Sequence, residues 1–330
     1  MANSELILKA ENLTIGYRKG PKENVILKNI NSGLYKGEFV CLIGPNGVGK
    51  STLLRTLCGV QPPLSGDILL NGEDLENYDR QRLSREISLV LTEKITGNLT
   101  VYELIALGRY PHTNWSGTLT KIDELKIEQA VQDTHCEAII HQKVYELSDG
   151  QLQKVMIARA LAQDGDLMIL DEPSAHLDLK NKVEILFMLQ RLAKDHNKAI
   201  LIATHELDLA LQTADRIWLM AFNQPLVSGW PEDLALSGYI TDAFRSDQFK
   251  FDPASGRLKV LSERKGKIAV LGKGIAYLWT CHALERCGYI VSKNSSIIVH
   301  VGDKNWIVES PGQKGYSVNS IEEVMDKIRT

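Results

Sequence analysis

The sequence predicts an α/β protein of two unequal domains, and three observations carry that prediction. Apolar runs of strand length at 39–43, 87–91, 167–170 and 199–203 alternate with helical stretches, as strands covered on both faces of a parallel sheet do. No comparable run occurs between Leu99 and Leu161, where only helical patterns are found, so a helical insertion is expected at about 92–160. The length of 330 residues exceeds what one ordinary core holds and fits a large domain with a smaller companion.

The elements follow in chain order. Residues 5–17 alternate apolar and polar positions (Leu6, Leu8, Leu13, Ile15, Tyr17), and Lys19-Gly20-Pro21 interrupts them before Val25-Ile26-Leu27, which predicts an antiparallel β subdomain. Within the insertion, 101–107, 122–131 and 152–161 read as helices. After Leu219 short strands return, Pro231 opens a helix, and Asp252-Pro253-Ala254-Ser255-Gly256 turns the chain between 249–251 and 258–260. The charged segment 262–267 reads as a linker. Beyond it come a strand at 268–271, an amphipathic helix with Ile275, Leu278, Trp279 and His282 on its inward face, two or three strands through Val308 and a capped helix from Ser320. The expected division is 1–247 for the large domain, 248–261 for a hairpin and linker, and 262–330 for a small C-terminal α/β domain.

Composition narrows the function classes. Hydrophobic residues make up 44% and charged ones 24%, which excludes a disordered, collagen-like or disulfide-scaffold chain. Lysine and arginine number 38 against 41 acidic residues, so no basic excess exists for a phosphate backbone, and no nucleic-acid partner is expected. Apolar runs fall far short of the roughly 18–20 residues that a membrane helix needs. No secretory signal is visible at the start of the chain, which predicts a cytosolic address. Five cysteines without a C-x-x-C pair read as reduced core thiols.

Gly44-Pro45-Asn46-Gly47-Val48-Gly49-Lys50-Ser51 matches G-x-x-x-x-G-K-[ST] between a strand and an apolar helix carrying Leu53, Leu54 and Leu57. Glycines let backbone N–H groups close around phosphate oxygens, Lys50 reaches the β- and γ-phosphates, and the Ser51 hydroxyl coordinates Mg²⁺. Leu167-Met168-Ile169-Leu170-Asp171-Glu172 is an apolar strand ending in two carboxylates, suited to holding Mg²⁺ through Asp171 and polarising a water through Glu172. These motifs alone leave kinase, GTPase, helicase and transport ATPase open.

Leu147-Ser148-Asp149-Gly150-Gln151 opens a helix about 20 residues before the acidic strand. With it the chain resembles, over residues 5–247, the nucleotide-binding subunits of ABC transporters, a P-loop NTPase fold of ABC type. The resemblance implies ATP and Mg²⁺ as ligands, with Gly44, Pro45, Asn46, Gly47, Val48, Gly49, Lys50, Ser51 and Thr52 around the phosphates and Tyr17 stacked on adenine. It makes Lys50, Glu172 and His205 the catalytic set, His205 being the switch histidine at the γ-phosphate. Ser148, Gly150 and Gln151 would act in trans, and Ser174-Ala175-His176-Leu177-Asp178 looks like the D-loop. Read from the residues alone, Tyr17 remains open as an edge-strand aromatic, His205 as a satisfied histidine and Asp178 as a helix cap. Where the family carries a glutamine that ligates Mg²⁺, this chain has Thr92 then Glu93. Thr92, with Ser51 and Asp171, completes the expected metal set, or Glu93 substitutes. Asp149 replaces the signature's first glycine and should point outward.

Leu107-Gly108-Arg109-Tyr110-Pro111-His112 looks like the G-R-x-P-H stretch of importers of ferric siderophores, haem and cobalamin; an ordinary helix stop is the other reading. The resemblance therefore implies the ATP-hydrolysing subunit of an importer of an iron chelate or cobalamin. It would act as a head-to-tail homodimer docked on permease subunits near 92–115, served indirectly by a substrate-binding protein, at the cytoplasmic face of a bacterial membrane. A non-transport ABC ATPase, such as one serving iron-sulfur cluster assembly, is the alternative. In the C-terminal domain, Gly272-Lys273-Gly274 reads as a tight turn or an anion-binding loop, and that domain as stabilising the dimer or inhibiting the ATPase.

Overall fold

The computed structural model describes residues 5–20, 22–91, 97–261, 263, 265–302, 304–312 and 314–329. They pack as two compact units, Met1–Phe244 with Pro253–Gly256, and Arg245–Asp252 with Arg257–Thr330.

The first unit opens with the long hairpin β1 (Leu6–Lys19) and β2 (Lys22–Tyr35), broken by register shifts near Asn12 and Asn29, whose backbones are left-handed. Then follow β3 (Phe39–Ile43), α1 (Lys50–Leu57), β4 (Ser65–Leu70), β5 (Glu73–Asp74), α2 (Arg80–Glu86) and β6 (Ile87–Val90). The helical insertion contributes α3 (Val101–Ala106), α4 (Lys121–Asp133) and α5 (Asp149–Ala162). The chain returns to the sheet through β7 (Leu167–Asp171), α6 (Leu179–Asp195), β8 (Ala199–Ala203), α7 (Leu207–Thr213), β9 (Arg216–Leu219) and β10 (Val227–Gly229), and ends in α8 (Pro231–Leu236) and α9 (Tyr239–Ala243).

Two sheets result. The antiparallel one has the order β2-β1-β4-β5 and the other β10-β9-β3-β8-β7-β6, parallel except at the β10 edge. Every residue of β3, β7 and β8 is buried, which is why these strands read as unbroken apolar runs. Because β3 lies between β8 and β9, the connections leaving β3 and β8 diverge at their carboxyl ends and open a crevice there.

The helices of the insertion start at side-chain caps. Thr100 with Glu103, Thr120 with Asp123 and Ser148 with Gln151 each form a reciprocal capping box, and α3 and α4 pack on α5. Chain direction does not stop at Gly108 and Pro111: after α3 it continues as a 3-10 turn, Leu107–His112, with Pro111 inside it. A Cβ at Gly108 would sit 2.2 Å from the Arg159 carbonyl oxygen of α5, so only glycine allows this approach. Arg109 is buried, donating from Nε to Asp123 Oδ1 at 2.8 Å and from a terminal guanidinium nitrogen to the Ala162 carbonyl at 2.8 Å. His112 Nε2 lies 2.8 Å from the Gln163 carbonyl, and the Pro111 carbonyl accepts from Arg85 Nε at 2.7 Å. The G-R-x-P-H stretch is thus a latch between α2, α4 and α5.

The second unit contains the hairpin β11 (Phe249–Asp252) and β12 (Arg257–Val260), then β13 (Gly266–Leu271), α10 (Gly274–Arg286), β14 (Tyr289–Val291), β15 (Ile298–Val301), β16 (Trp306–Glu309), β17 (Tyr316–Val318) and α11 (Ile321–Arg329). Its sheet runs β14-β13-β15-β16-β17. The structure corrects the expected inward face of α10: Ile275, Leu278, Trp279 and His282 are exposed, and Thr280, Ala283 and Leu284 are buried. Small Thr280 and Ala283 let the helix lie close to the sheet, where the Thr280 hydroxyl accepts from Trp306 Nε1 at 2.8 Å. The cysteines are free, and burial pushes the Cys41 and Cys58 thiols up, as core thiols require.

Candidate active site

The crevice at the end of β3 holds the phosphate loop. Gly49 has φ 108°, a conformation that L side chains rarely adopt, and it turns the chain into α1 with the helix N-terminus facing the crevice. Lys50, first residue of α1, is 7% exposed and donates from Nζ to the carbonyls of Gly44 (2.8 Å) and Pro45 (3.3 Å). Burial lowers its pKa, opposed by the negative charges of Glu172 and Asp171. That pull defines the electrostatics: a buried cation lies within the field of two carboxylates.

A cleft of about 590 Å³ is bounded by Asn46, Gly47, Gly49, Lys50, Ser51 and Thr52 from the loop and α1, Tyr17 and Ile26 from the hairpin, and Glu172 and His205 from the ends of β7 and β8. Tyr17 is 45% exposed, so its ring is open to a ligand, and its hydroxyl is 2.7 Å from Thr52 Oγ1, which ties the hairpin to the phosphate-loop helix. Ile26 is not legible from the sequence as a site residue. It enters because β1 and β2 pair with Tyr17 opposite Asn24 and Gly16 opposite Val25, and it packs where a Cβ on Gly49 would be.

Glu172 follows β7 in a left-handed backbone, φ 49°, pinned by its N–H donating to the Ala203 carbonyl at 3.0 Å. A non-glycine residue held there is strained, and the strain turns the carboxylate out of the sheet into the cleft beside His205, whose Nδ1 is 3.7 Å from Glu172 Oε2. Asp171 stays in the strand, buried, and does not itself line the cleft, though its charge acts on Lys50.

Some expected residues stand elsewhere. Gly44, Pro45 and Val48 do not line the cleft: Val48 is buried in the core, and Gly44 and Pro45 serve as carbonyl acceptors for Lys50. Ser148, Gly150 and Gln151 are not brought to it either. Ser148 and Gln151 cap α5, Gly150 is buried beside Asn181, and Asp149 is exposed in the first turn of α5, where its charge suits the helix dipole. Asp178 caps α6, accepting from the Asn181 N–H at 2.8 Å. Thr92 and Glu93 lie outside the described residues.

Residues 27–175 match the family described as ABC transporter, and residues 265–329 match the iron ABC transporter C-terminal domain. An uncharacterized ABC transporter ATP-binding protein of Methanocaldococcus jannaschii is 39% identical over 229 residues, 69% of this chain and 78% of that one. The achromobactin transport ATP-binding protein of Dickeya dadantii is 34% identical over 242 residues, 73% of this chain and 88% of that one. Among solved structures, a dimeric ATP-binding cassette in a post-hydrolysis state with ADP and Pi aligns with a TM-score of 0.58 at 26% identity, covering 68% of this chain and 99% of that one. A phosphate loop, an acidic strand end and a histidine meeting in one cleft, in a chain with these relatives, have one common explanation: the chain belongs to the ABC transporter ATP-binding proteins and is an ATP-binding, ATP-hydrolysing cassette.

Proposed function

We propose that this cassette powers an importer of an iron chelate, siderophore or haem, or of cobalamin, working as a head-to-tail homodimer beneath separate permease subunits on the cytoplasmic face of the membrane. The observation that carries the iron reading is the match of 265–329 to an iron ABC transporter C-terminal domain on a chain whose cleft gathers the phosphate loop, Glu172 and His205. The relative named for achromobactin transport supports it. Among the described residues no helix is long and apolar enough to cross a membrane, and the reading gives the path to the permease and substrate capture to a binding protein. Tyr110, 57% exposed, and Trp115, fully exposed, are the aromatic anchors that a permease would cover next to the latch.

Ser51 and Asp171 fit Mg²⁺: one hydroxyl and one carboxylate are hard oxygen donors, and such a site leaves the remaining positions to water and phosphate oxygens. Bound with ATP, Mg²⁺ would neutralise phosphate charge. Lys50 exchanges its carbonyl acceptors for phosphate oxygens, and the loop amides hold the chain of phosphates. Glu172 orients the attacking water and accepts its proton, while His205 steadies the γ-phosphate. Ser148, Gly150 and Gln151 of a second copy close the site in trans.

Tyr17 separates stacking from tethering. Tyr17→Phe keeps the ring and is expected to hold ATP affinity within about 2-fold while losing roughly 1 kcal/mol of stability with the Thr52 bond. Tyr17→Ala is expected to weaken ATP about 10-fold, a low estimate for one base stack. Titration with a fluorescent nucleotide reads both, and unaltered affinity in Tyr17→Ala removes the stack. The transport reading is tested by uptake of ⁵⁵Fe-loaded siderophore or haem and of labelled cobalamin in cells carrying Lys50→Ala. Loss of one of these activities is expected; normal uptake of all would sink the importer proposal.

A further inference from the structure

His205 is held from outside the cleft as well as from within. Its Nε2 is 3.2 Å from Glu206 Oε1, on the side away from Glu172, so each ring nitrogen faces a different carboxylate. Glu206 is itself fixed at two points. Its backbone N–H donates to the hydroxyl of fully buried Thr204 at 3.1 Å, and its Oε1 accepts from Lys182 Nζ. Lys182 lies in the first turn of α6, the helix capped by Asp178. A continuous chain of polar contacts therefore runs from the start of α6 through Lys182 and Glu206 to His205 and Glu172.

The His205 side chain is 44% exposed, so packing alone does not choose its rotamer. The Glu206 contact does. The Glu206 carboxylate lies against the Nε2 edge of the ring and draws that edge to itself, which leaves the Nδ1 edge toward Glu172. Lys182 in turn keeps the Glu206 carboxylate from swinging and balances a second negative charge near Glu172.

We propose that Glu206, clamped by Lys182, is a positioning residue for ATP turnover that holds the His205 ring in the one orientation facing Glu172 across the cleft. This rests on the reading of His205 as a residue acting at the γ-phosphate. Freed from Glu206, the ring would spread over about three χ1 wells, and displacement of the reacting groups adds to that, so a loss of about 10-fold in kcat is expected.

The test is steady-state ATPase of the full-length chain in a double-mutant cycle. Glu206→Ala is expected to lower kcat about 10-fold with the KM for ATP within about 2-fold and an unchanged Tm, and Glu206→Gln, which keeps an acceptor oxygen of the same reach, to recover most of the rate. Lys182→Met, which leaves Glu206 in place, should lose about 3-fold. In a His205→Ala background, Glu206→Ala should cost nothing further. If the two losses multiply in the double variant, Glu206 does not act through His205 and the proposal falls, while the role of His205 stands. Wild-type turnover in His205→Ala would instead remove the reading on which the proposal rests, and the proposal with it.

Discussion

Glu172→Gln is expected to bind ATP with near wild-type affinity, to dimerise on it and to lose turnover by about 10²–10⁴-fold, the range over which a positioned general base contributes. The substitution is close to isosteric, and glutamine faces the same left-handed backbone, so the N–H bond to the Ala203 carbonyl and the fold around β7 and β8 should persist. What disappears is a charge and a proton acceptor. Lys50 loses one of the two carboxylates that oppose the effect of its burial, but ATP phosphates replace that charge many times over, so binding survives. The comparison to make is nucleotide binding and sedimentation against phosphate release under single-turnover conditions. Hydrolysis at the wild-type rate would take Glu172 out of the chemistry and leave the Glu172–His205 proximity without a catalytic meaning.

Much of this site is legible in the sequence because its residues are contiguous where they matter. The phosphate loop is one uninterrupted motif, and Asp171 and Glu172 sit at the end of a strand whose five residues are all buried. What stays hidden arises from pairing and packing. Ile26 reaches the cleft through hairpin register, and Glu206 draws notice only because the β8–α7 turn carries it beside His205 Nε2 and toward Lys182 on another helix. The residues expected to act in trans do not line this cleft, and the proposal assigns them to the cleft of a second copy. On α10 the spacing supports two stripes of helical period, and the larger side chains suggest the wrong one. Close approach to the sheet selects Thr280 and Ala283, a choice made by the partner surface and not by the helix. Strand β17, three residues long, is too short to leave a periodic signal.

Arg109→Ala is expected to destabilise the cassette by about 3–5 kcal/mol, the cost of leaving one half of a buried ion pair without its partner. Arg109 and Asp123 are 5% and 3% exposed, and the pair is completed by the Ala162 carbonyl on one side and by the Thr120 N–H (2.8 Å) and hydroxyl (2.7 Å) on the other. Burial works to raise the Asp123 pKa, yet the Thr120 bonds and the Arg109 charge outweigh it and hold the carboxyl at about 2. A carboxyl depressed in the folded state stabilises above its unfolded value, near 3.9, and that contribution is lost as pH falls through the folded one. The gap between wild type and Arg109→Ala should therefore be full at neutral pH and narrow between about pH 4 and pH 2. Urea unfolding at several pH values measures it, and a neutral-pH loss below about 1 kcal/mol would show that the latch does not hold α4 to α5. The functional consequence follows from where Arg109 points. Its guanidinium, like the His112 ring, faces the fold's interior, so on the proposed importer reading a permease would meet the neighbours Tyr110 and Trp115 instead. A variant that keeps ATPase activity but loses uptake at temperatures where it remains folded would place the role of this stretch in holding the docking surface rigid; loss of hydrolysis and uptake in step would assign it to the stability of the whole cassette.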